Sequence, residues 1–381
     1  IPVTNQQFSL LQTAFLLTYA FMYAAGGRML DALGTRRGFA IIMLFWSVAC
    51  AAHSLATSFA MLAACRLLLG AGEGGGFPAA TRVVAEWFPV KERSTAMGIM
   101  NAGTALGMVV APPLIASVLS FASWRSIFVV TGAIGLLWTI WWWRTYFPPE
   151  QHPRLGAEER AQIQSVVQTG SAAATELGWL QLLRFRETWG LVTAKFLSDA
   201  AWYFYLFWLP KYLYDARGFD IKTVGTFAWI PPAAAGLGCL VGGWFSSALL
   251  QRNLPLDRAR KLALGASALV MPTVLFVPSV PVAWAIALFS LAYFGQQSWS
   301  TLVMILPTDI FPKATVGAVA GLVGFGGAMG GVVFGQLVGY LLDHDYGYGV
   351  VFAIAGSLHV VAFVTICLAI PRIRPLEGGR A

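Results

Sequence analysis

The chain has 381 residues, of which 57% are hydrophobic and only 11% are charged. A soluble domain has about 25% charged residues, so this composition excludes an ordinary soluble protein and indicates a chain that lies in a bilayer. The net charge of +8 is therefore no sign of nucleic-acid binding, and the distribution of the charges matters more than their sum.

Apolar runs long enough to cross a hydrocarbon core of about 30 Å as helices follow one another along the chain. We predict eleven transmembrane helices, at 8–29, 39–58, 60–85, 95–121, 125–146, 188–214, 223–250, 260–279, 281–306, 315–342 and 346–371. The polar segment 147–187 separates the first five from the rest. Its mixture of charged and aliphatic residues predicts an interfacial helix within a long loop.

The two sets of predicted helices contain related sequences. At an offset of 223 residues, EWFPVKERSTAMG (86–98) aligns with DIFPKATVGAVAG (309–321), and the glycines that follow also align. Such matches indicate an internal duplication, which is typical of transporters. We therefore predict an all-α membrane protein. Its parts are an N-terminal bundle (1–146) lacking its first helix, a cytoplasmic linker (147–187), a C-terminal six-helix bundle (188–371) and a tail (372–381).

Lysine and arginine residues are distributed unequally between the two sides of these helices. The side that contains loop 31–38 has 19 of them and the other side has four, while Arg66 and Lys195 lie within predicted helices. By the positive-inside rule the richer side is cytoplasmic. The sequence therefore predicts a cytoplasmic C-terminus.

The turn after the first predicted helix contains GRMLDALGTRR (27–37), of the form G-x3-D-x2-G-x-R-R. This motif resembles the signature loop of the major facilitator superfamily, in which acidic and basic residues hold a cytoplasmic gate closed. A generic basic loop is the alternative. Together with the repeated segments 86–98 and 309–321, the motif gives six candidate gating residues: Asp31, Arg36, Arg37, Glu86, Arg93 and Asp309.

The predicted helix 60–85 contains RLLLGAGEGGGFP, in which five glycines surround Glu73 and Arg66 stands seven residues before it. Three of these glycines match the dinucleotide pattern GxGxxG, but the preceding strand that this pattern requires is missing. Residues seven apart share a helix face. Desolvation and the charge of Arg66 act on Glu73 in opposite directions, which suits a group that binds and releases protons. A static ion pair is the alternative.

The repeat places Gln296, which cannot titrate, at the position equivalent to Glu73. It lies in the polar stretch QQSWST (296–301), where a tryptophan ring offers a flat face to a sugar and the amides and hydroxyls suit its hydroxyl groups. The alternative role of this cluster is to hold helices together. With polar pairs on two N-terminal helices, the candidate substrate contacts are Tyr19, Tyr23, Asn101, Thr104, Gln296, Gln297, Trp299 and Ser300.

Three further ionisable residues lie within C-terminal helices. Lys195 and Asp199, four residues apart, are predicted to form a gating or structural pair, with ligand binding as the alternative. His359 stands alone among apolar residues and is predicted to make a hydrogen bond between helices, although a titrating role stays open. No histidine or cysteine spacing indicates a metal site, and no cofactor is predicted.

Segments along the whole chain, including FLLTYAFMYAAGGRMLDALGTRRGFA and SWSTLVMILPTDIFPKATVGAVAG, resemble the anion:cation symporter branch of that superfamily, especially its hexuronate transporters. The resemblance implies two pseudo-symmetric six-helix bundles and proton-coupled import of a sugar acid, such as glucuronate or galacturonate, across a bacterial inner membrane by a monomer. It also implies proton coupling by Glu73 with Arg66, and substrate contact by Tyr19 and Thr104. A symporter for another organic anion (an aldonate, glucarate or aromatic acid) and a transporter-like sensor are the alternatives.

The repeat also predicts a further helix before Ile1, because the counterpart of 188–214 would precede that residue. No nucleophile or metal cluster is found at membrane depth, so an enzymatic function is not predicted.

Overall fold

The computed structural model describes residues 1–88, 90–160, 163, 179–311 and 316–376. Within these residues the chain forms helices and turns and no strand. The long helices are α1 (Asn5–Leu33), α2 (Thr35–Ala52), α3 (Phe59–Glu73), α4 (Gly76–Trp87), α5 (Val90–Leu119), α6 (Trp124–Thr145), α7 (Arg186–Asp215), α8 (Ile230–Gln251), α9 (Leu256–Val270), α10 (Val282–Ile310), α11 (Val316–Asp343) and α12 (Gly347–Ala369).

Each predicted apolar run coincides with one of these helices, with one exception in which α3 and α4 share a run. Shorter helical segments lie at His53–Leu55, Pro149–Gln151, Trp179–Leu182, Ile221–Phe227 and Met271–Ser279. Among the described residues, six segments are long and apolar enough to cross a membrane by length and composition: Thr35–Leu55, Trp124–Thr145, Ile230–Gln251, Leu256–Ser279, Val319–Asp343 and Gly347–Ala369.

Local sequence explains several helix boundaries and irregularities. The hydroxyl of Ser58 caps α3 by accepting a hydrogen bond from the backbone N–H of Met61, at 3.3 Å. Prolines stand inside α7, at Pro210, and inside α10, at Pro307. Such positions are tolerated in membrane helices, where neighbouring helices and local adjustments satisfy the freed carbonyl groups.

The helices pack into two units. The first contains residues 1–2, 14–104 and 121–173, and the second contains 3–13, 105–120 and 174–381. The predicted division between bundles lies at 147–187, so two segments from the predicted N-terminal bundle, 3–13 and 105–120, pack within the second unit instead.

Side-chain contacts explain why residues 3–13 belong to the second unit. The carboxylate of Asp343 accepts hydrogen bonds from the backbone N–H groups of Asn5, at 3.0 Å, and Gln6, at 2.7 Å. The side-chain amide of Gln6 donates to Gln336 at 2.8 Å, and the amide of Gln336 donates to the hydroxyl of Thr13 at 2.6 Å. The two bonds to Asp343 satisfy backbone donors at the N-terminus of α1 that have no partner within the helix.

Candidate proton and substrate sites

The predicted helix 60–85 has a distorted turn directly after Glu73, the carboxylate that the sequence singled out. Helix α3 ends at Glu73 and α4 begins at Gly76, with Gly74 and Gly75 between them. The N–H of Gly74 donates to the carbonyl of Gly70 at 3.0 Å, and the N–H of Gly75 donates to that of Gly72 at 3.4 Å. Gly74 and Gly75 keep right-handed helical backbone angles (φ −58°, ψ −23° and φ −80°, ψ −10°), so the chain continues through one distorted helical turn beside Glu73. An ionisable group at this depth is a candidate functional residue.

Glycine residues let α3 pack directly on its neighbours. A Cβ at Gly70 would overlap the carbonyl oxygen of Phe15 in α1, and a Cβ at Gly74 would overlap that of Tyr19. On the other side of α3, a Cβ at Gly72 would lie 2.8 Å from the Cα of Trp46 in α2. These contacts confirm that the glycines serve close helix packing, which is also typical of membrane helices.

Arg66 and Glu73 stand seven residues apart on α3, so the positive charge of Arg66 acts on the Glu73 carboxyl group. Both side chains are partly buried. In the part of the chain that the structure describes, the two side chains form no direct ion pair within 4.0 Å. The field of Arg66 therefore reaches Glu73 without a hydrogen bond that would fix the carboxyl group in one protonation state.

A row of aromatic rings lies beside the turn between α3 and α4. The rings of Phe15 and Tyr19 are 5.7 Å apart, those of Tyr19 and Tyr23 are 6.0 Å apart, and those of Tyr23 and Phe77 are 6.4 Å apart. The row begins on α1 and ends on α4, and the backbone of Tyr19 faces Gly74, the residue after Glu73. Both tyrosines predicted to bind substrate are thus brought to the Glu73 region.

The other predicted residues of the first unit have different surroundings. Thr104 is exposed on α5. The side chains of Asn101, Asp31 and Arg93 lie outside the described residues, and the roles predicted for them stay predictions.

The candidate gating residue Glu86 connects three elements of the first unit. Its carboxylate accepts hydrogen bonds from the hydroxyls of Thr35 and Tyr146 and from Nε of Arg82, the last at 3.2 Å. Burial and, after it, the hydrogen bond to Glu86 raise the pKa of the Tyr146 phenol. The phenol therefore stays protonated and keeps donating to the carboxylate.

The two candidate arginines of the loop differ in their contacts. Arg36 donates to the carbonyl of Trp143 at 2.6 Å, and its guanidinium lies 3.8 Å from the ring centre of Phe147. This stacking is a cation–π contact and joins the start of α2 to the end of α6. Arg37 is exposed.

Asp309, which the repeat aligns with Glu86, has an arginine partner in the second unit. Arg260 in α9 binds its carboxylate through Nε at 2.8 Å and through Nη2 at 3.4 Å. A third donor of the same guanidinium binds the hydroxyl of Ser246 in α8 at 2.7 Å. A bidentate arginine–carboxylate contact fixes both the geometry and the charge of the pair. The motif alignment singled out Asp309 but did not identify Arg260 as its partner.

A buried polar network crosses the second unit. Lys195 Nζ lies 3.0 Å from an oxygen of Asp199 and donates to the hydroxyl of Ser300 at 2.8 Å. The amide of Gln296 is 3.4 Å from the same Asp199 oxygen, and its carbonyl is hydrogen-bonded to Nε2 of His359. The predicted hydrogen bond of His359 between helices is confirmed, and Gln296 links this ring to the Lys195–Asp199 pair.

The remaining polar residues of α10 face different environments. Trp299 is fully buried, packs in a cluster with Leu302 and Val303, and its ring meets that of His359 edge-on at 5.7 Å. In this arrangement the Trp299 ring has no open face for a sugar. Gln297 is partly exposed, and its side-chain carbonyl accepts a contact from Cys239 Sγ at 3.6 Å.

The family model described as "Major Facilitator Superfamily" matches residues 3–335. The chain belongs to the major facilitator superfamily. Its all-α fold is confirmed, and it is a multi-pass membrane transporter and not an enzyme.

Several transporters resemble this superfamily member in sequence. The "Hexuronate transporter" of Escherichia coli strain K12 is 32% identical over 374 residues, which cover 96% of this chain and 85% of that protein. The "Galacturonate transporter" of Dickeya chrysanthemi is 36% identical over 278 residues, covering 71% and 80%. The "D-galactonate transporter" of Escherichia coli O6:H1 is 28% identical over 358 residues, covering 91% and 82%.

A solved structure shares the fold of this superfamily member. It is a bacterial homologue of the human lysosomal transporter Spinster in an inward-facing, unoccupied conformation. The TM-score is 0.69 at 17% sequence identity, with 97% of this chain and 88% of that chain covered.

Proposed function

We propose that this protein is a proton-coupled symporter that imports a sugar-acid anion, such as glucuronate or galacturonate, by alternating access. The observation that carries the proposal is the position of the Glu73 carboxyl group at membrane depth, at the glycine turn between α3 and α4, beside Tyr19 and Tyr23 and in the field of Arg66. The named substrates of the hexuronate and galacturonate transporters described above support the choice of substrate class.

Glu73 is proposed to bind the coupling proton. An ionised carboxylate is costly at membrane depth, which favours the protonated form of Glu73. Arg66 opposes this effect because its positive charge favours the carboxylate. A group balanced in this way can take a proton on one side of the membrane and release it on the other.

Charge neutrality explains why proton and anion would move together. A monoanionic sugar acid alone would bring a net negative charge into a region of low dielectric constant, where uncompensated charge is expensive. Protonation of Glu73 removes one negative charge, so the arginine can balance the substrate carboxylate instead. The tyrosine hydroxyls of Tyr19 and Tyr23 would then donate to the sugar oxygens.

Orientation, location and assembly complete the proposal. The excess of lysine and arginine on one side supports a cytoplasmic C-terminus in a bacterial inner membrane. The protein is proposed to act as a monomer that contacts only lipid, protons and its substrate. A reporter fused to the C-terminus tests the orientation, since a fluorescent protein that needs the cytoplasm should be active and a periplasmic phosphatase should not.

A second candidate substrate is an aldonate. It is favoured by the D-galactonate transporter, which aligns with 91% of this chain at 28% identity. Aldonates and hexuronates both have a carboxylate and several hydroxyls, but an aldonate is an open chain. Competition between labelled glucuronate and unlabelled galactonate during uptake separates the two.

The test of the proposal is uptake by the purified protein in liposomes. Labelled glucuronate should accumulate inside when the lumen is alkaline and the outside acidic, and accumulation should vanish when an ionophore removes the gradient. Substitution Glu73→Asp keeps a titratable group and is expected to retain part of the gradient-driven uptake. If no sugar acid accumulates under the gradient in the unmodified protein, the proposal is wrong.

A further inference from the structure

The buried pair Lys195–Asp199 in α7 has features that a structural ion pair does not need. The side chains are only 9% and 11% exposed, and the ammonium and carboxylate groups are 3.0 Å apart. The same helix has a second lysine–aspartate pair at the same spacing, Lys211–Asp215, whose side chains are 26% and 35% exposed. The pair Lys211–Asp215 lies at the end of α7, and the pair Lys195–Asp199 lies nearer its middle.

The buried pair lies near the depth at which a substrate site is expected in a secondary transporter. Asp199, Gln296 and His359 each lie near the middle of their helices, α7, α10 and α12. Substrate sites of secondary transporters lie near the bilayer midplane. Buried ion pairs contribute little net stability, since desolvation offsets their attraction, so stability alone does not explain why these charges stand there.

Each packed helix contributes one feature to the surroundings of Asp199. On α7 the facing charge is Lys195, and on α10 the facing groups are the amide of Gln296 and, through the lysine, the hydroxyl of Ser300. On α11 a Cβ at Gly327 would overlap the second carboxylate oxygen of Asp199, so α11 offers it only backbone. On α12 the imidazole of His359 reaches Asp199 only through Gln296.

We propose that Lys195 is an anion-binding residue of the C-terminal half and that Asp199 holds it until a proton displaces the carboxylate. The inference rests on the proposed sugar-acid transport and adds a second site at which proton and anion binding are linked. In the protein without substrate, the Asp199 carboxylate pairs with the Lys195 ammonium group in place of the substrate carboxylate.

The exchange balances in charge and in protons. A proton from water forms an O–H bond with a carboxylate oxygen of Asp199, which leaves Lys195 as an unpaired cation. A substrate carboxylate then pairs with Lys195, and the site again has no net charge. Binding of the anion without the proton would leave one excess negative charge buried, so each ligand favours the other.

Asp199 is the group that titrates, and His359 positions Gln296. A proton on the ring would place a second positive charge near Lys195 with a single carboxylate to balance both. The Nδ1 atom of His359 is buried and has no hydrogen-bond partner among the described residues, which suits a neutral ring that donates from Nε2 to the carbonyl of Gln296. The amide of Gln296 is then oriented toward the Asp199 carboxylate.

The experiment measures the dissociation constant of glucuronate by calorimetry on purified protein between pH 5.5 and pH 8.5. In the unmodified protein the dissociation constant should rise with pH. Asp199→Asn imitates the protonated carboxyl. In this variant the slope of the logarithm of the dissociation constant against pH should be about one unit lower than in the unmodified protein. The reason is that one linked proton changes affinity about tenfold per pH unit. Lys195→Gln should weaken binding by at least about tenfold at every pH.

Two further variants separate this role from a structural one. The double variant Lys195→Gln with Asp199→Asn leaves no unpaired buried charge, so it should fold even where a single variant does not, and it should bind as weakly as Lys195→Gln. The matched control Lys211→Gln with Asp215→Asn removes the exposed pair of the same helix and should bind as the unmodified protein does. If the double variant keeps the unmodified affinity and pH dependence, the inference is wrong.

The outcome for Glu73 distinguishes the two proposals. If the unmodified protein binds no sugar acid, the proposed function fails and this inference fails with it. If the unmodified protein binds glucuronate with a pH dependence that Glu73→Gln removes entirely, the proposed function stands and the inference about Asp199 is overturned. If pH dependence persists in Glu73→Gln and is lost on adding Asp199→Asn, the second linked site is supported.

Discussion

Replacement of Gly70 by alanine tests the close contact between α3 and α1. A Cβ at this position would overlap the carbonyl oxygen of Phe15 and crowd the hydroxyl of Thr18, which donates to the carbonyl of Leu67 at 2.8 Å. A backbone carbonyl cannot rotate away as a flexible side chain can, so the helices must separate. Overpacking of this kind costs about 1–3 kcal/mol.

The matched control is Gly107→Ala in α5, where an added Cβ meets no atom within 4 Å. Alanine is favoured over glycine inside a helix by about 1 kcal/mol, and both variants gain this amount. At Gly107 nothing opposes the gain, so the variant should be at least as stable as the unmodified protein. At Gly70 the clash should outweigh it, and the variant should be less stable.

Thermal unfolding in detergent, followed by intrinsic fluorescence of the 15 tryptophans, measures the difference. The unfolding temperature should fall for Gly70→Ala and should not fall for Gly107→Ala. Equal unfolding temperatures for the two variants would refute the conclusion that α1 and α3 are in backbone contact at Gly70.

Two further predictions concern the carboxylates at the repeated segments. Tyr146→Phe removes a hydrogen bond to the Glu86 carboxylate and should lower the free energy of unfolding by about 1.5–3 kcal/mol in the same unfolding assay. The control Tyr214→Phe, at a side chain that is 57% exposed, should leave the free energy of unfolding unchanged. Equal losses in the two variants would contradict the role of Glu86 as an acceptor that connects these elements. Arg260→Lys keeps the charge but cannot reach Asp309 and the Ser246 hydroxyl with a fork of donors, so its unfolding temperature should fall, and an unchanged value would show that charge alone suffices.

Hydropathy predicted the positions of the helices because an apolar run of membrane length has few other structures available to it. It did not predict the distorted turn after Glu73, since Gly74 and Gly75 belong to an apolar run and do not lower its average hydropathy. The end of α3 depends on how closely neighbouring helices approach, and Gly70 and Gly74 show this approach only in three dimensions.

The sequence also did not predict which segments belong to each of the two units. Residues 3–13 join the second unit through bonds such as Gln6 to Gln336, which are 330 positions apart. No periodicity along the chain encodes which distant amide a partly buried glutamine meets, so the predicted N-terminal bundle included this segment.

The sequence predicted which ionisable residues belong to the candidate sites better than it predicted which side chains they contact. The sequence singled out Glu73, Arg66, Lys195 and Asp199 because ionisable groups are rare at membrane depth. Their pairing depends on the rotation of each helix about its axis, which determines whether a side chain faces the interior of a bundle. That rotation is also why Trp299, predicted to stack on a sugar, is fully buried among the helices of the second unit.

The most direct test of the proposed coupling is transport by Glu73→Gln in liposomes, measured with labelled glucuronate. Glutamine keeps the shape and the hydrogen-bonding capacity of the side chain but cannot bind a proton. We expect that exchange of internal for external glucuronate is at least partly retained, while accumulation driven by an inward proton gradient is lost. Normal gradient-driven accumulation in Glu73→Gln would contradict the assignment of Glu73 as the coupling site.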